Sequence, residues 1–409
     1  MMLSNYRVLD LSDERGILCG KILGDLGADV LAIEPLWGNS ARRQGPFYQD
    51  IPDPETSLFW AFFATNKRSI TVNLESFKGK QLLRSLIQGS HFIIESFRPG
   101  YMEQLGFGYN DVRAINPAII MVSISAFGQK GPYKNYEATD LTGMALSGMM
   151  YLTGDPDRPP VRVSSPQFWP AGGASGAAGA MIASNYRLNT GKGQFVDVSC
   201  QQAIARALSH APQIWDLEKY NMKRQGPYRP VGQVNLRINW ECSDGYINFI
   251  QPGGHTGGLS MQNLSKWMDE KEMGSEVLRS TPWGEIGFGR LSKELLDGMT
   301  PPLEKFFKTM TKAELAQGAL ERRILLFPVN DTEDVFNHPQ LLARDFFKET
   351  TIGDKNDKLR IPGPFITPTG PSSHSFKSAP KIGEHNLEVY MEIGLTLSEI
   401  EKLMEKSII

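Results

Sequence analysis

The stretch SSPQFWPAGGASGAAGAM, residues 164–181, crowds small residues together, as a chain does where its backbone must approach a ligand or a second helix closely. Nucleophilic or acid–base chemistry beside such a surface calls for a carboxylate. None is present: no Asp or Glu occurs between Arg158 and Val196. Other reactive constellations are equally sparse. The sequence holds no HExxH, no P-loop and no G-x-S-x-G elbow. Cys19, Cys200 and Cys242 are far apart and form no CxxC pair, and the six histidines stand singly, so neither a disulfide framework nor a metal site is expected. Three features remain that can touch a ligand. Arg42 and Arg43 offer guanidinium groups for phosphate, or else sit on a solvated loop. SFRPG (96–100) follows a strand-like run, at the end where open α/β sheets place ligands. PGGHTGG (252–258) reads either as a mobile lid or as an ordinary turn.

The elements that must position these residues alternate. RVLDL (7–11) is a strand. Ser12 is placed to cap a helix with Asp13 and Glu14 in its first turn and Leu18, Ile22 and Leu26 facing inward; Gly27 ends it, and DVLAIE (29–34) is the next strand. SITVNL (69–74), HFIIES (91–96) and AIIMVSISA (118–126) are further strands, with a helix over 78–89 between the first two. A helix over 172–188, a strand over 194–200 and a helix over 201–215 follow. This rhythm predicts a doubly wound, Rossmann-like α/β domain, although the first turn, LSDERGILCG, lacks the dinucleotide fingerprint G-x-G-x-x-G. Residues 221–233 read as a basic connector, and 235–325 as a separate α+β unit opening with GYINFI (245–250). Residues 352–378, rich in Pro, Gly and Ser, read as a long extended connection, and 398–407 as a final amphipathic helix. The expected division is a large domain from 1–220 with 330–409, and an inserted small domain over 221–329.

Length and composition fit this division. The 409 residues carry a net charge of −2, which gives no electrostatic case for nucleic acid or an anionic membrane. There is neither a signal-peptide pattern nor a membrane-length apolar run, and few cysteines, so a cytoplasmic location is expected.

Seven stretches together resemble the class III CoA-transferases, the family of formyl-CoA transferase and carnitine CoA-transferase. They are LGDLGADVLAIEP (23–35), NKRSITVNLES (66–76), FRPGYMEQLGFGY (97–109), SISAFGQKGPY (123–133), TGKGQFVDVS (190–199), HPQLLARDFF (338–347) and APKIGEHNLEV (379–389). DERGILCGKILGDLGADV and SLFWAFFATNKRSITVNLE look most like the E-type subunits of two-subunit transferases acting on succinyl-CoA and (R)-benzylsuccinate. The resemblance implies two chains threaded through each other as interlocked rings, each with a Rossmann-like domain built from both chain ends. It implies CoA esters as substrates and no covalently bound cofactor. It also implies an Asp carboxylate that attacks the thioester to give a mixed anhydride and CoA thiolate, from which the acceptor acid displaces the donor.

That Asp lies in the family's D-x-x-x-G pattern, about 20 residues before the TGKGQ-like turn. Here the count reaches Trp169, with Gly173 in the glycine place, and a one-residue shift reaches Phe168. No catalytic residue is therefore assigned, and the indole is expected to plug the acyl pocket. Glu75 and Gln104 stand where family members often carry Lys and Arg against the phosphates of CoA. Leu74, Phe97 and Arg98 keep the adenine-side pattern, and Lys134 is placed near the phosphates, so these four are the candidate CoA contacts. The related racemases' His–Asp pair is not kept: Thr139 stands at the His, before Asp140. The expectation is the silent subunit of a heteromer whose homologous partner carries the Asp. The alternatives are a stand-alone acyl-CoA isomerase or lyase with Asp140 or Glu137 as base, or a non-enzymatic scaffold.

Overall fold

Six short apolar runs form one parallel sheet: β1 (Arg7–Asp10), β2 (Asp29–Glu34), β3 (Lys67–Thr71), β4 (Phe92–Glu95), β5 (Ile120–Ser125) and β6 (Phe195–Ser199). A computed structural model describes residues 2–231, 234–249, 254–286, 291–353, 357–366 and 376–409. The strand order is β3-β2-β1-β4-β5-β6, so the winding reverses between β1 and β4. Helices cover both faces, and the inner strands read as unbroken apolar runs rather than alternating ones; all six residues of β5 are buried. The helices of this part are α1 (Ile17–Asp25), α2 (Leu58–Phe63), α3 (Phe77–Gln88), α4 (Tyr101–Leu105), α5 (Tyr109–Ile115), α6 (Asp140–Leu146), α7 (Phe168–Thr190), α8 (Cys200–Ala207) and α9 (Ala211–Glu218).

Four expectations fail here for local reasons. Ser12 caps no helix: its hydroxyl donates to Asp10, and α1 begins only after Gly16. Asp13 is taken by Ser96 and Arg15 instead of serving a first turn. The buried face of α1 is then Ile17, Cys19 and Leu23, while Leu18, Ile22 and Leu26 are half-buried. The helix read over 201–215 is two helices, α8 and α9, parted at Ser209 with φ +54°. Pro212 explains the break, because its ring cannot follow a helical turn and it offers no N–H.

Helix α7 is longer than expected and lies very close to its neighbours. A Cβ on Gly172 would sit 2.2 Å from the Cys200 sulfur, one on Gly173 2.9 Å from Leu18, and one on Gly176 3.0 Å from Ile124. Ala177, Ala180 and Ala183 complete this face against Cys19, Leu23 and the strands. The opposite face of the sheet packs on Leu82, Leu86 and Ile87 of α3. Val389 and Tyr390 of the helix Asn386–Glu392 and Ile400 and Leu403 of the final helix, Leu397–Glu405, complete that layer.

The chain divides into two compact units: Met1–Met150, Arg162–Asn221 and Leu342–Ile409 form the first, and Tyr151–Val161 with Met222–Leu341 the second. The second opens inside the stretch read as a connector, with an antiparallel hairpin of β7 (Tyr228–Val231) and β8 (Val234–Arg237). A three-stranded sheet, β9 (Asn239–Cys242), β10 (Gly245–Phe249) and β11 (Leu326–Val329), is backed by α10 (Gly254–Glu270), α11 (Glu276–Ser280), α12 (Lys293–Phe307) and α13 (Lys312–Arg322). Trp240, Trp267, Trp283, Phe306 and Phe307 fill its core. Pro252 and Gly253 lie outside the described residues, but Gly254–Gly258 begin α10 rather than a lid. Gly258 is needed there for packing, since a Cβ would lie 2.3 Å from the Trp283 carbonyl oxygen. The stretch read as extended from 352 holds a hairpin, β12 (Phe347–Ile352) with β13 (Asp357–Pro362); residues 367–375 lie outside the described residues.

Gly172→Ala is expected to cost about 1–3 kcal/mol by forcing the Cys200 sulfur aside. Cys200→Ala should recover most of that loss in the double variant, read as non-additive urea midpoints. Additive losses would place the strain elsewhere.

Candidate functional site

The reversal between β1 and β4 opens a crevice where the loops leaving the two strands part. Its floor is tied across the reversal: Ser96 Oγ donates to Asp13 Oδ1 at 2.7 Å and accepts from the Asp13 amide at 2.9 Å. Arg15 Nε in turn donates to both oxygens of Asp13 at 2.9 Å.

Two clefts flank this tie. The first, about 430 Å³, lies between Glu14 and Arg15, the SFRPG loop after β4, the end of β5 and residues 134–138, with Trp169 on its wall. The second, about 400 Å³, lies at the ends of β2 and β3 and is walled by Ile33, Trp37, Leu74, Glu75 and Tyr101. Phe97 lines both clefts. Its ring leans on Tyr101 with centroids 4.9 Å apart. The four candidate contacts are thus gathered at the crevice: Arg98 and Lys134 in the first cleft, Leu74 in the second, Phe97 between them. Arg98 is exposed and donates to Gln104 at 3.2 Å, and Lys134 is exposed.

The first turn of α7 holds Phe168 and Trp169. Phe168 is fully buried and its ring occupies the space that a Cβ on Gly143 would need. Trp169 meets it edge to face, with centroids 4.9 Å apart. The indole does not plug the pocket as expected. It forms part of a wall, and the cleft stays open beside it. Asp140 sets this turn in place, because its Oδ1 accepts from the amides of Gln167 and Phe168 at 2.8 Å each. A carboxylate there satisfies two helix-end donors and meets the positive end of the dipole. Asp140 therefore serves as a cap borrowed from α6 and is taken up by that role.

Arg42 fits neither reading given to it. It is fully buried, and all five of its N–H donors are taken: Glu34 at 2.7 and 2.8 Å, Glu55 twice at 3.2 Å, and the Pro380 carbonyl at 3.0 Å. Its guanidinium also lies 3.9 Å from the Trp60 ring centroid. No donor is left for a phosphate. The same bonds consume Glu34, the acid at the end of β2 that would read a dinucleotide's ribose in this strand order. Arg43 donates to the carbonyls of Trp37 and Asn39. Among the described residues no group of three or more His, Cys, Asp or Glu is placed to hold a metal.

Sequence reasoning missed Trp37, Tyr101, Asp13 and Glu95. The Asp13–Ser96 tie was within reach of the rule that puts sites where strand order reverses. Trp37 left no pattern to find, being one aromatic residue in a loop. Glu95, the last residue of β4, is buried and accepts the Phe97 amide at 2.7 Å. Burial pushes its carboxyl up to about 7, against the opposing pull of the bonds from Ser123 and the Phe97 amide. In the unfolded chain this group titrates near 4.5, so the folded state binds the extra proton between about 4.5 and 7 and loses stability as pH rises through that window. Glu95→Gln keeps the shape of the protonated acid. Relative to wild type it should gain about 2–3 kcal/mol between about pH 5 and pH 8 in urea midpoints. Parallel pH profiles for the two proteins would contradict this.

The chain matches the family model described as CoA-transferase family III over residues 3–386. It is 32% identical over 402 residues to the succinyl-CoA:(R)-benzylsuccinate CoA-transferase subunit BbsE of Thauera aromatica, covering 98% of this chain and 96% of that protein. It is 30% identical over 432 residues to the formyl-CoA:oxalate CoA-transferase of Streptomyces coelicolor, covering 100% and 99%. Among solved structures, a CaiB/BaiF family protein from Brucella suis superposes with a TM-score of 0.77 at 25% identity, over 95% of this chain and 98% of that one. With the parallel sheet, the crevice and these matches together, the chain belongs to CoA-transferase family III.

Proposed function

We propose that this chain is the non-catalytic subunit of a heteromeric CoA-transferase, paired with a homologous chain that carries the nucleophilic Asp. The observation that carries the reading is the first turn of α7, where Phe168 is buried and Trp169 forms cleft wall. Neither side chain can attack a thioester, and the acid beside them, Asp140, is engaged as a helix cap. In the partner's site a carboxylate would add to the thioester carbonyl, the C–S bond would break, and CoA would leave as thiolate from a mixed anhydride. The acceptor carboxylate would then attack the Asp carbonyl carbon of that anhydride and release the donor acid, and the CoA thiolate would attack the acceptor's carbonyl carbon, forming the new thioester and freeing the Asp carboxylate.

Succinyl-CoA is the proposed donor and (R)-benzylsuccinate the proposed acceptor, on the similarity to BbsE. In this chain Leu74 and Phe97 would take the adenine side of a CoA ester, and Arg98 and Lys134 its phosphates. The interlocked arrangement gives the partner a surface to cover: Ile182 and Leu188 of α7 and Trp215 and Leu217 of α9 are all more than half exposed. Large apolar side chains in such numbers suit an interface better than water. The proposed setting is the cytoplasm, consistent with three free, buried cysteines; no described helix is long and apolar enough to cross a membrane.

A second reading, a stand-alone isomerase or lyase acting on an acyl-CoA, rests on Glu137, which lines the first cleft. It requires turnover by the isolated chain that Glu137→Gln abolishes.

Native mass spectrometry of the untagged protein from its own cells is expected to show a heteromer with a chain of similar size bearing D-x-x-x-G. A pure homodimer would remove the subunit reading. Trp169→Asp alone is expected to give no transferase turnover, because a buried Phe168 and a reshaped wall remain around the new acid. Clear turnover by that single variant would show the rest of the site to be intact.

A further inference from the structure

The second cleft differs from the first in charge. Among the described residues that line it there is no lysine, arginine or histidine, but there are three acids. Two of these are neutralised locally: Asp13 by Arg15, and Glu34 by Arg42. The third, Glu75, is exposed and forms no ion pair among the described residues; only its backbone is engaged, donating to Asn73 at 3.0 Å. Arg43 reaches the rim only through the backbone carbonyls of Trp37 and Asn39, and is not part of the lining. The walls are otherwise apolar and aromatic. Trp37 is 68% exposed at the mouth, with Leu74, Phe97 and Tyr101 behind it.

An exposed indole beside a slot of apolar side chains suits a flat, uncharged ring, since every nucleobase offers a face for stacking. A single unpaired carboxylate at the edge of that slot suits neighbouring hydroxyls, which can donate to it. A phosphate group in the same place would face like charge with no cation in the cleft to offset it. We propose that this cleft takes a purine nucleoside whose ribose hydroxyls are free, so that the chain binds 3′-dephospho-CoA in preference to CoA. The inference rests on the reading of the crevice as a CoA-ester site. It adds a selection within that site, made by Glu75 and Trp37, against the ribose phosphate.

Calorimetry on the full-length chain with CoA and with 3′-dephospho-CoA tests this. The expected result is binding of 3′-dephospho-CoA about fivefold tighter than CoA, the size of one like-charge contact at a solvent-exposed cleft edge. Glu75→Lys should reverse the order. Trp37→Ala should weaken both ligands while leaving their ratio unchanged, because stacking does not sense the phosphate. The proposal falls if CoA binds as tightly as its dephospho form, if Glu75→Lys leaves the ratio alone, or if neither compound binds. None of these outcomes bears on the subunit role, which the mass measurement decides separately. A heteromer with a chain that prefers CoA would keep the subunit role and discard the selection.

Discussion

Helix α7 can lie where it does only because nothing larger than hydrogen projects from Gly172, Gly173 and Gly176 toward Cys200, Leu18 and Ile124. This close approach brings one long helix down against both α1 and β5, and so fixes the height of its first turn above the sheet. The first turn then has no freedom of its own. Asp140 holds its amides from one side, and the Phe168 ring fills the gap over Gly143 from another. Whatever residue stands at position 169 is delivered to the wall of the first cleft by this packing. Here that residue is Trp169, and its indole becomes cleft wall.

The placing of this turn is separable from the side chain at position 169. The contacts that position the turn involve backbone amides, a capping acid and small residues, none of which depends on the side chain at 169. The tie between Asp13 and Ser96 likewise shapes the crevice without entering a reaction. The two clefts also differ in their electrostatics. The first holds Arg98 and Lys134, while the second holds aromatic walls and an unpaired Glu75.

Much of the large unit was legible in the sequence because parallel strands, buried on both sides, announce themselves as short apolar runs at regular intervals. The runs around Leu9, Val30, Ile70, Ile94 and Val122 all became neighbours in one sheet. What misled was local competition for side chains. Ser12 has the composition of a cap, but Asp10 claims its hydroxyl, and nothing in LSDERG says that Ser96, more than 80 residues on, will hold Asp13. Arg42 failed as a phosphate ligand for the same reason: its partners Glu34, Glu55 and Pro380 come from three separate stretches. The lack of any Asp or Glu over 159–195, by contrast, was visible at once, because it does not depend on any fold. The second cleft was the least legible part, since Trp37, Leu74 and Tyr101 are far apart in sequence and carry no common period.

The outer edge of β3 is closed by the far end of the chain. His385 donates its amide to Ser69, Asn386 accepts from the Thr71 amide at 2.8 Å, and the Tyr390 hydroxyl reaches the Thr71 carbonyl at 2.7 Å. These partners lie some 315 positions downstream. During synthesis, which proceeds from the amino terminus, β3 is therefore made long before anything exists to cover it. A five-residue strand rich in backbone donors waits with its edge bare while the whole second unit emerges. The lifetime of that open edge is set by translation rather than by folding, and it makes the nascent chain, more than the finished protein, the form most exposed to wrong pairing. A homologous chain being made nearby would present the same edge at the same stage.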